Sequence, residues 1–139
     1  MAMSQEAQNL NWLISEFVKN VPGVRYVVVV AADGLPLTMS STVSREHVDR
    51  LAALTSGLVN LAQGASRFVE GDGVKQTVIE MGKAFLLIMS VSDGSSLAVI
   101  ASSTCDIGLV GYQTARLVKQ AGELLTPALR NEMQSALPK

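Results

Sequence analysis

The stretch SREHVDRLAALTSGLVNLAQGASRF, residues 44–68, decides how the rest of the chain is arranged. Apolar residues recur in it at alternating spacings of four and three, which predicts one long amphipathic α-helix with Ser44 as its N-cap. We call these positions the leucine stripe: His47, Leu51, Leu54, Leu58, Leu61, Ala65 and Phe68. Because large apolar side chains need a core, we expect the leucine stripe to pack on the chain's own sheet.

A second stripe of the same helix carries almost no side-chain bulk. This small stripe consists of Ala53, Gly57, Asn60 and Gly64. Each glycine inside a helix costs about 1 kcal/mol relative to alanine. Close approach by another backbone would offset that cost, so we expect the small stripe to meet a second copy of the helix. The alternative is that the glycines only loosen an exposed face.

Composition limits the classes of function. The chain has 139 residues, of which 48% are hydrophobic, and a net charge of −1. This size fits one domain with a substantial core, and the missing basic run argues against nucleic acid as a partner. No N-terminal signal pattern and no apolar run of about 18 residues is present, so we expect no membrane insertion. Cys105 is the only cysteine, which excludes an internal disulfide and suits the cytoplasm.

Strand patterns before and after the long helix define a sheet. Residues 25–31 and 84–89 are apolar without alternation, which predicts strands covered on both faces, whereas residues 76–81 alternate as an outer strand does. Asp33-Gly34 and Asp93-Gly94 predict two-residue hairpin turns with positive φ at both central positions. Pro36 places the second strand at an edge. The antiparallel order is therefore 2-1-5-4-3.

Because the central strands are apolar on both sides, helices must cover both faces of this sheet. We expect the first helix, residues 10–21, and the last one, residues 107–125, on one face and the long helix on the other. The fold class is α/β: a profilin-like three-layer sandwich.

The third strand is an open edge with no proline, and such an edge invites pairing. It follows the long helix directly, so a two-fold axis there would pair both elements with their copies and produce a ten-stranded sheet. The residues predicted at this dimer interface are Ala53, Gly57, Asn60, Gly64, Gln76, Val78 and Glu80.

Reactive side chains do not converge anywhere in the sequence. His47 is the only histidine, and on the apolar side of its helix we expect it to be half-buried and hydrogen-bonded. Cys105 has no second histidine to activate it, and one histidine with one cysteine cannot form a zinc site. Residues 71–75 lack the spacing of a phosphate loop. We therefore expect no catalytic residue, no cofactor and no metal, so the chain is not an enzyme. Trp12 either docks a partner or folds over the edge of the first helix.

Several motifs in order resemble the Roadblock/LC7 family, over residues 10–125. They are VPGV at 21–24, DGLPL at 33–37, LAAL at 51–54 with Gly64, QTVIE at 76–80 and DGSSLAV at 93–99. The resemblance implies a single domain over residues 1–139, with its core at about 10–125 and a short helix or tail at 126–139. It also agrees with the sandwich and the dimer.

The function that this resemblance implies is a non-enzymatic, cytoplasmic homodimer that acts as regulator or scaffold in signal transduction. Such domains bind a small Ras-like GTPase, and some act as GTPase-activating proteins; in the short bacterial type a sensor kinase complex is a further partner. We take the exposed polar positions of the long helix as candidate GTPase contacts: Arg45, Asp49, Arg50, Gln63 and Arg67. The alternative is a small-molecule sensor module of the PAS or GAF type.

Overall fold

The computed structural model describes residues 3–40 and 43–136. Four helices and five strands follow one another along the chain. They are α1 (Gln5–Asn20), β1 (Val24–Val30), β2 (Pro36–Met39), α2 (Arg45–Val69), β3 (Gln76–Glu80), β4 (Ala84–Ser90), β5 (Ser96–Ser102), α3 (Ile107–Leu124) and α4 (Pro127–Ala136). The C-terminal segment expected as a short helix or tail is thus helical as far as residue 136, and residues 137–139 lie outside the described range.

The strands form one antiparallel sheet in the order β2-β1-β5-β4-β3, which confirms the predicted order. β1 runs between β2 and β5, with Val30 opposite Ser96, and β3 pairs with β4, with Val78 opposite Leu87. The all-apolar strands are therefore central, and the strand with Pro36 and the alternating strand form the two edges.

The two Asp-Gly turns differ from the expected two-residue type. Only the glycines have positive φ, +89° at Gly34 and +91° at Gly94. In the first turn the Gly34 N–H donates to the Ala31 carbonyl at 2.9 Å, and the second turn repeats this arrangement. The Asp33 carboxylate accepts the N–H of Leu35 at 3.0 Å. That side-chain bond holds the aspartate in an ordinary turn conformation, so the turn is one residue longer and only glycine enters the left-handed region.

Alternate residues of the strands belong to different cores. Val27, Val29, Leu87 and Val99 lie in a cluster with side chains of α1, α3 and α4. The intervening residues, which include Val28, Leu86, Ile88 and Ala98, lie in two smaller clusters with side chains of α2. The period of two along each strand thus separates α2 from the other three helices. The layer opposite α2 includes α4, whose Leu129 and Met133 are each 3% exposed.

The expectation that the leucine stripe packs on the sheet is wrong. Leu54, Leu61 and Phe68 are 62%, 74% and 89% exposed. His47 is also exposed, with its Nδ1 3.2 Å from the Ser44 hydroxyl that caps the helix. The residues of α2 that are buried are Val48, Ala52, Thr55 and Ser66.

The buried residues of α2 are small or β-branched for a physical reason. The sheet face beneath α2 is already filled by apolar side chains, among them Val28, Val30 and Ile88. Short side chains on the helix let its backbone approach that filled surface, as close packing of a protein interior requires. The leucines are too long for this gap, and only Leu51 and Leu58 reach the edge of the core.

Candidate functional site

The exposed face of α2 carries two adjacent stripes. One is the small stripe, and the other consists of the exposed members of the leucine stripe, Leu54, Leu61 and Phe68. Apart from its chain neighbours and the nearby backbone of α2 itself, a Cβ placed on Gly57 would have no described heavy atom within 4 Å. By the same criterion, a Cβ on Gly64 would have only an Arg67 guanidinium nitrogen, at 3.9 Å. Ala53 and Asn60 are exposed as well. The sequence predicts that the leucine stripe packs on the sheet and that only the small stripe faces outward, whereas the structure places both stripes on the surface.

The edge strand β3 is the accessible edge of the sheet. Within the described residues β3 pairs with β4 alone, and Gln76, Val78 and Glu80 are exposed along it. The other edge differs, since β2 begins at Pro36 and α4 packs against it. A sheet with one proline-bearing, covered edge and one bare edge has only the bare one free for pairing.

Two of the three arginines on α2 are paired within the helix. Arg45 Nε lies 2.9 Å from Asp49 Oδ1, and an Arg50 guanidinium nitrogen lies 3.4 Å from Glu46 Oε1. Both pairs have the i, i+4 spacing, and all four side chains are partly or largely exposed, so each pair contributes only about 0.3–0.5 kcal/mol to stability. Arg67, one turn beyond Gly64, forms no ion pair with a carboxylate of the described residues.

The five candidate GTPase contacts do not form one cluster in a single chain. Arg45, Asp49 and Arg50 lie in the first turns of α2, and Gln63 and Arg67 lie in its last turns. At 1.5 Å per residue, Arg50 and Arg67 are about 25 Å apart along the helix axis. One chain therefore offers two separate polar patches.

A groove between α1 and α3 was only partly foreseen from the sequence. Trp12 is 61% exposed and lines two open hollows of about 240 and 290 Å³ there. The side chain is thus mostly exposed while it borders the hollows, and both a docking role and packing over the helix edge stay predictions. The isolated tryptophan on a polar helix face was the signal for this groove.

Neither of the reactive side chains is placed for catalysis. Burial, followed by the negative charge of Asp106, raises the pKa of the Cys105 thiol, which makes the reactive thiolate scarcer. His47 lies on α2 at the opposite face of the sheet. No group of three potential metal-ligating side chains occurs within residues 3–40 and 43–136.

The space between α2 and the sheet is also small. The cleft lined by Val59, Gln63 and Thr77 has a volume of about 10 Å³. That is close to the space one water molecule occupies and far below the several hundred Å³ of a metabolite pocket. Among the described helices, moreover, none is long and apolar enough to span a bilayer.

Comparison with family models adds a sequence-based finding. The model of the Roadblock/LC7 domain matches residues 10–101. The chain belongs to the Roadblock/LC7 family. The resemblance inferred from the sequence motifs is thereby confirmed. Roadblock/LC7 is a regulatory and adaptor family.

Solved structures extend the comparison. The Roadblock/LC7 domain from Streptomyces avermitilis is 35% identical over 79% of this chain and 92% of that one, with a TM-score of 0.75. MglB of Myxococcus xanthus is 18% identical, covers 91% and 97% of the two chains and gives a TM-score of 0.79. LokiProfilin1, in its complex with rabbit actin, is 14% identical over 90% and 100%, with a TM-score of 0.61. The last two show that the Roadblock/LC7 chain shares their fold. No protein with a curated description matches the sequence.

Proposed function

We propose that this single Roadblock/LC7 domain, with its core at about residues 10–125, is a non-enzymatic cytoplasmic homodimer that binds a small Ras-like GTPase. In a signalling complex that includes a sensor kinase, it modulates the rate of GTP hydrolysis. The observation that carries this proposal is the bare β3 edge next to an uncovered apolar face of α2. Family membership and the likeness to MglB and to a gliding protein MglB from Thermus thermophilus support it.

The proposed dimer pairs β3 with its copy in an antiparallel manner. A two-fold axis perpendicular to the sheet achieves this and leaves both copies of α2 on the same side, running in opposite directions. The contacts would come from the positions on α2 and the β3 edge already named, all of which are exposed except the half-buried Gly64: Ala53, Gly57, Asn60, Gly64, Gln76, Val78 and Glu80.

Such a dimer also unites the candidate GTPase contacts. Because the two helices are antiparallel, the first turns of one α2 lie near the last turns of the other. Arg45, Asp49 and Arg50 of one chain would then join Gln63 and Arg67 of its copy in one composite surface. The GTPase itself supplies the catalytic groups, and the dimer holds it in a conformation that favours GTP hydrolysis. An arginine of the dimer that enters the GTPase active site would accelerate hydrolysis by about 10³–10⁵-fold. Conformational restraint of the GTPase requires no such arginine.

A binding and turnover assay tests the proposal. A small Ras-like GTPase, loaded with a GDP or GTP analogue, is titrated with the wild-type domain and with an Arg50→Ala, Arg67→Ala double variant. The matched control is Lys119→Ala, which removes an exposed cation from α3 in the opposite layer, outside the groove that Trp12 lines. We expect the double variant to bind more weakly and the control to bind as the wild type does.

Single-turnover hydrolysis, measured with and without the domain, shows whether the rate changes. Absence of binding in both nucleotide states would contradict the GTPase assignment. A monomer at tens of micromolar in a sedimentation experiment would contradict the dimer.

A further inference from the structure

We propose that the groove between α1 and α3 binds one amphipathic α-helix of about three turns from a partner protein. This helix carries an acidic and a basic side chain about two turns apart, beside a stripe of apolar anchors. The α1–α3 groove lies on the face of the sheet opposite α2, because side chains of α1 and α3 pack in one core cluster and those of α2 in the others. The proposal therefore goes beyond GTPase regulation and does not depend on the dimer.

The length of the groove follows from the two antiparallel helices that form it. One hollow joins Asn9 of α1 to Leu124 of α3, and the other joins Asn20 to Gln113, so residue numbers rise on α1 as they fall on α3. Between these limits each helix advances by eleven residues, 9 to 20 and 113 to 124. At 1.5 Å per residue the groove is about 16 Å long, which is the length of an α-helix of three turns.

The groove has an apolar floor between largely polar walls. Phe17 and Leu117 are buried and close it toward the core, and the half-buried Leu13 lies beside them. Trp12 borders both hollows. Most of the remaining lining residues are polar, among them Asn9, Gln113 and Gln120. Such a groove receives the apolar stripe of an amphipathic helix, whose anchors recur every three or four residues.

The exposed apolar area suits a single helix and not a second folded domain. With about 250 Å² for a fully exposed tryptophan, Trp12 at 61% exposure presents roughly 150 Å². Leu109, one turn before Gln113 on the same side of α3, is 39% exposed and adds less. One partner of a standard interface buries about 800 Å², of which more than half is apolar. A folded domain, including a second copy of this chain, would find too little apolar surface here.

The charges of the groove define the polar positions of the occupant. Arg116 lines one hollow, and no carboxylate of the described residues forms an ion pair with it. Glu16 lines the same hollow, but its Oε2 accepts a hydrogen bond from Asn20 Nδ2 at 3.1 Å. Glu123 lines the other hollow, about 10 Å from Arg116 along the axis of α3. An acidic side chain opposite Arg116 and a basic one opposite Glu123 are therefore about two helical turns apart on the occupant.

Tryptophan fluorescence reports occupancy of the groove directly, because Trp12 is the only tryptophan of the chain. The probe is a synthetic, tryptophan-free peptide of about 15 residues, long enough to form a helix on binding. It carries a stripe of leucines at helical spacing, with a glutamate and a lysine seven positions apart on its polar side. The matched control peptide has the same composition in an order without the stripe. We expect only the first peptide to shift the Trp12 emission to shorter wavelength.

Anisotropy of the fluorescein-labelled peptide gives dissociation constants for the variants. We expect Trp12→Ala to raise the dissociation constant at least about tenfold, because buried tryptophans dominate such contacts. Arg116→Glu should raise it at least about threefold, and a peptide with lysine in place of the glutamate should prefer Arg116→Glu to the wild type. The matched control is Lys119→Glu, which makes the same charge change on α3 outside the groove and should leave both peptides unaffected.

Circular dichroism verifies that each variant stays folded, as expected for side chains that are largely exposed. Four results would each overturn the proposal. The first is an unchanged Trp12 emission with peptide at concentrations up to about 1 mM, and the second is binding that Leu61→Gln on α2 weakens and Trp12→Ala does not. The third is an emission shift that appears when the protein alone is concentrated, which assigns the groove to a second copy. The fourth is a shift with vesicles of phosphatidylglycerol and phosphatidylcholine but not with the peptide.

Discussion

Replacement of Thr55 by valine should make the protein more stable. Thr55 lies in the middle of α2, is 0% exposed, and its hydroxyl has no hydrogen-bond partner among the described residues. A buried hydroxyl left without a partner costs about 1–3 kcal/mol. Valine has nearly the same shape and a similar helix propensity, so the substitution removes the polar group without a cavity. We expect the free energy of unfolding to rise by about 1–2 kcal/mol.

A second buried threonine provides the control for this experiment. Thr114 in α3 is also 0% exposed, but its hydroxyl donates to the Val110 carbonyl at 2.7 Å. Thr114→Val loses that bond, so we expect stability to be unchanged or lower by up to about 1 kcal/mol. The two substitutions are chemically identical and differ only in the partner of the hydroxyl.

Urea unfolding followed by circular dichroism measures both variants. The chain concentration must be the same in every sample, because dimerisation contributes to apparent stability. A change in the urea midpoint at constant m-value reports the difference in stability. In thermal unfolding, a gain of about 1 kcal/mol should raise Tm by roughly 3 °C in a chain of this size. If Thr55→Val is less stable than the wild type, or if Thr114→Val gains as much as Thr55→Val, then the account of the buried hydroxyl is refuted.

Three further substitutions have expected outcomes. Gly111→Ala in α3 should raise the free energy of unfolding by about 0.8–1 kcal/mol in urea, because its new Cβ would meet no described atom within 4 Å. Gly23→Ala should lower Tm, with a cost above about 2 kcal/mol, because Gly23 has φ +90° and its Cβ would lie 2.5 Å from that of Cys105; an unchanged Tm would contradict the strain. For Asp93, burial raises the pKa, but hydrogen bonds from Ser95 and the charge of Arg130 outweigh it and hold the pKa below its ordinary 3.8. The stability that this carboxylate contributes is present above that ordinary value and is lost as pH falls through the lower pKa of the folded state. The difference in the free energy of unfolding between wild type and Asp93→Asn should therefore narrow in acid titrations below about pH 4. A difference independent of pH would exclude the ionised carboxylate, which Ser95 and Arg130 stabilise, as its source.

Strand order could be derived from the sequence because local patterns reported it directly. An apolar run without alternation, such as residues 27–30, can only lie in the interior of a sheet, and Pro36 can only lie at its edge. Two Asp-Gly turns then determined which strands are neighbours. The exact turn type was missed, because it depends on whether the aspartate side chain bonds to its own turn, which the dipeptide does not reveal.

The sequence by itself determined that residues 44–68 form an amphipathic helix, that five strands follow the order 2-1-5-4-3, and that the chain resembles the Roadblock/LC7 family. Only the tertiary structure decided which side of that helix is inside. Hydrophobicity ranks Leu54 and Leu61 above Ala52, yet it is the short side chain of Ala52 that packs on the sheet beneath α2. The space that the opposing surface leaves free is set by residues far away in sequence, and for this reason the periodicity of one helix cannot specify it.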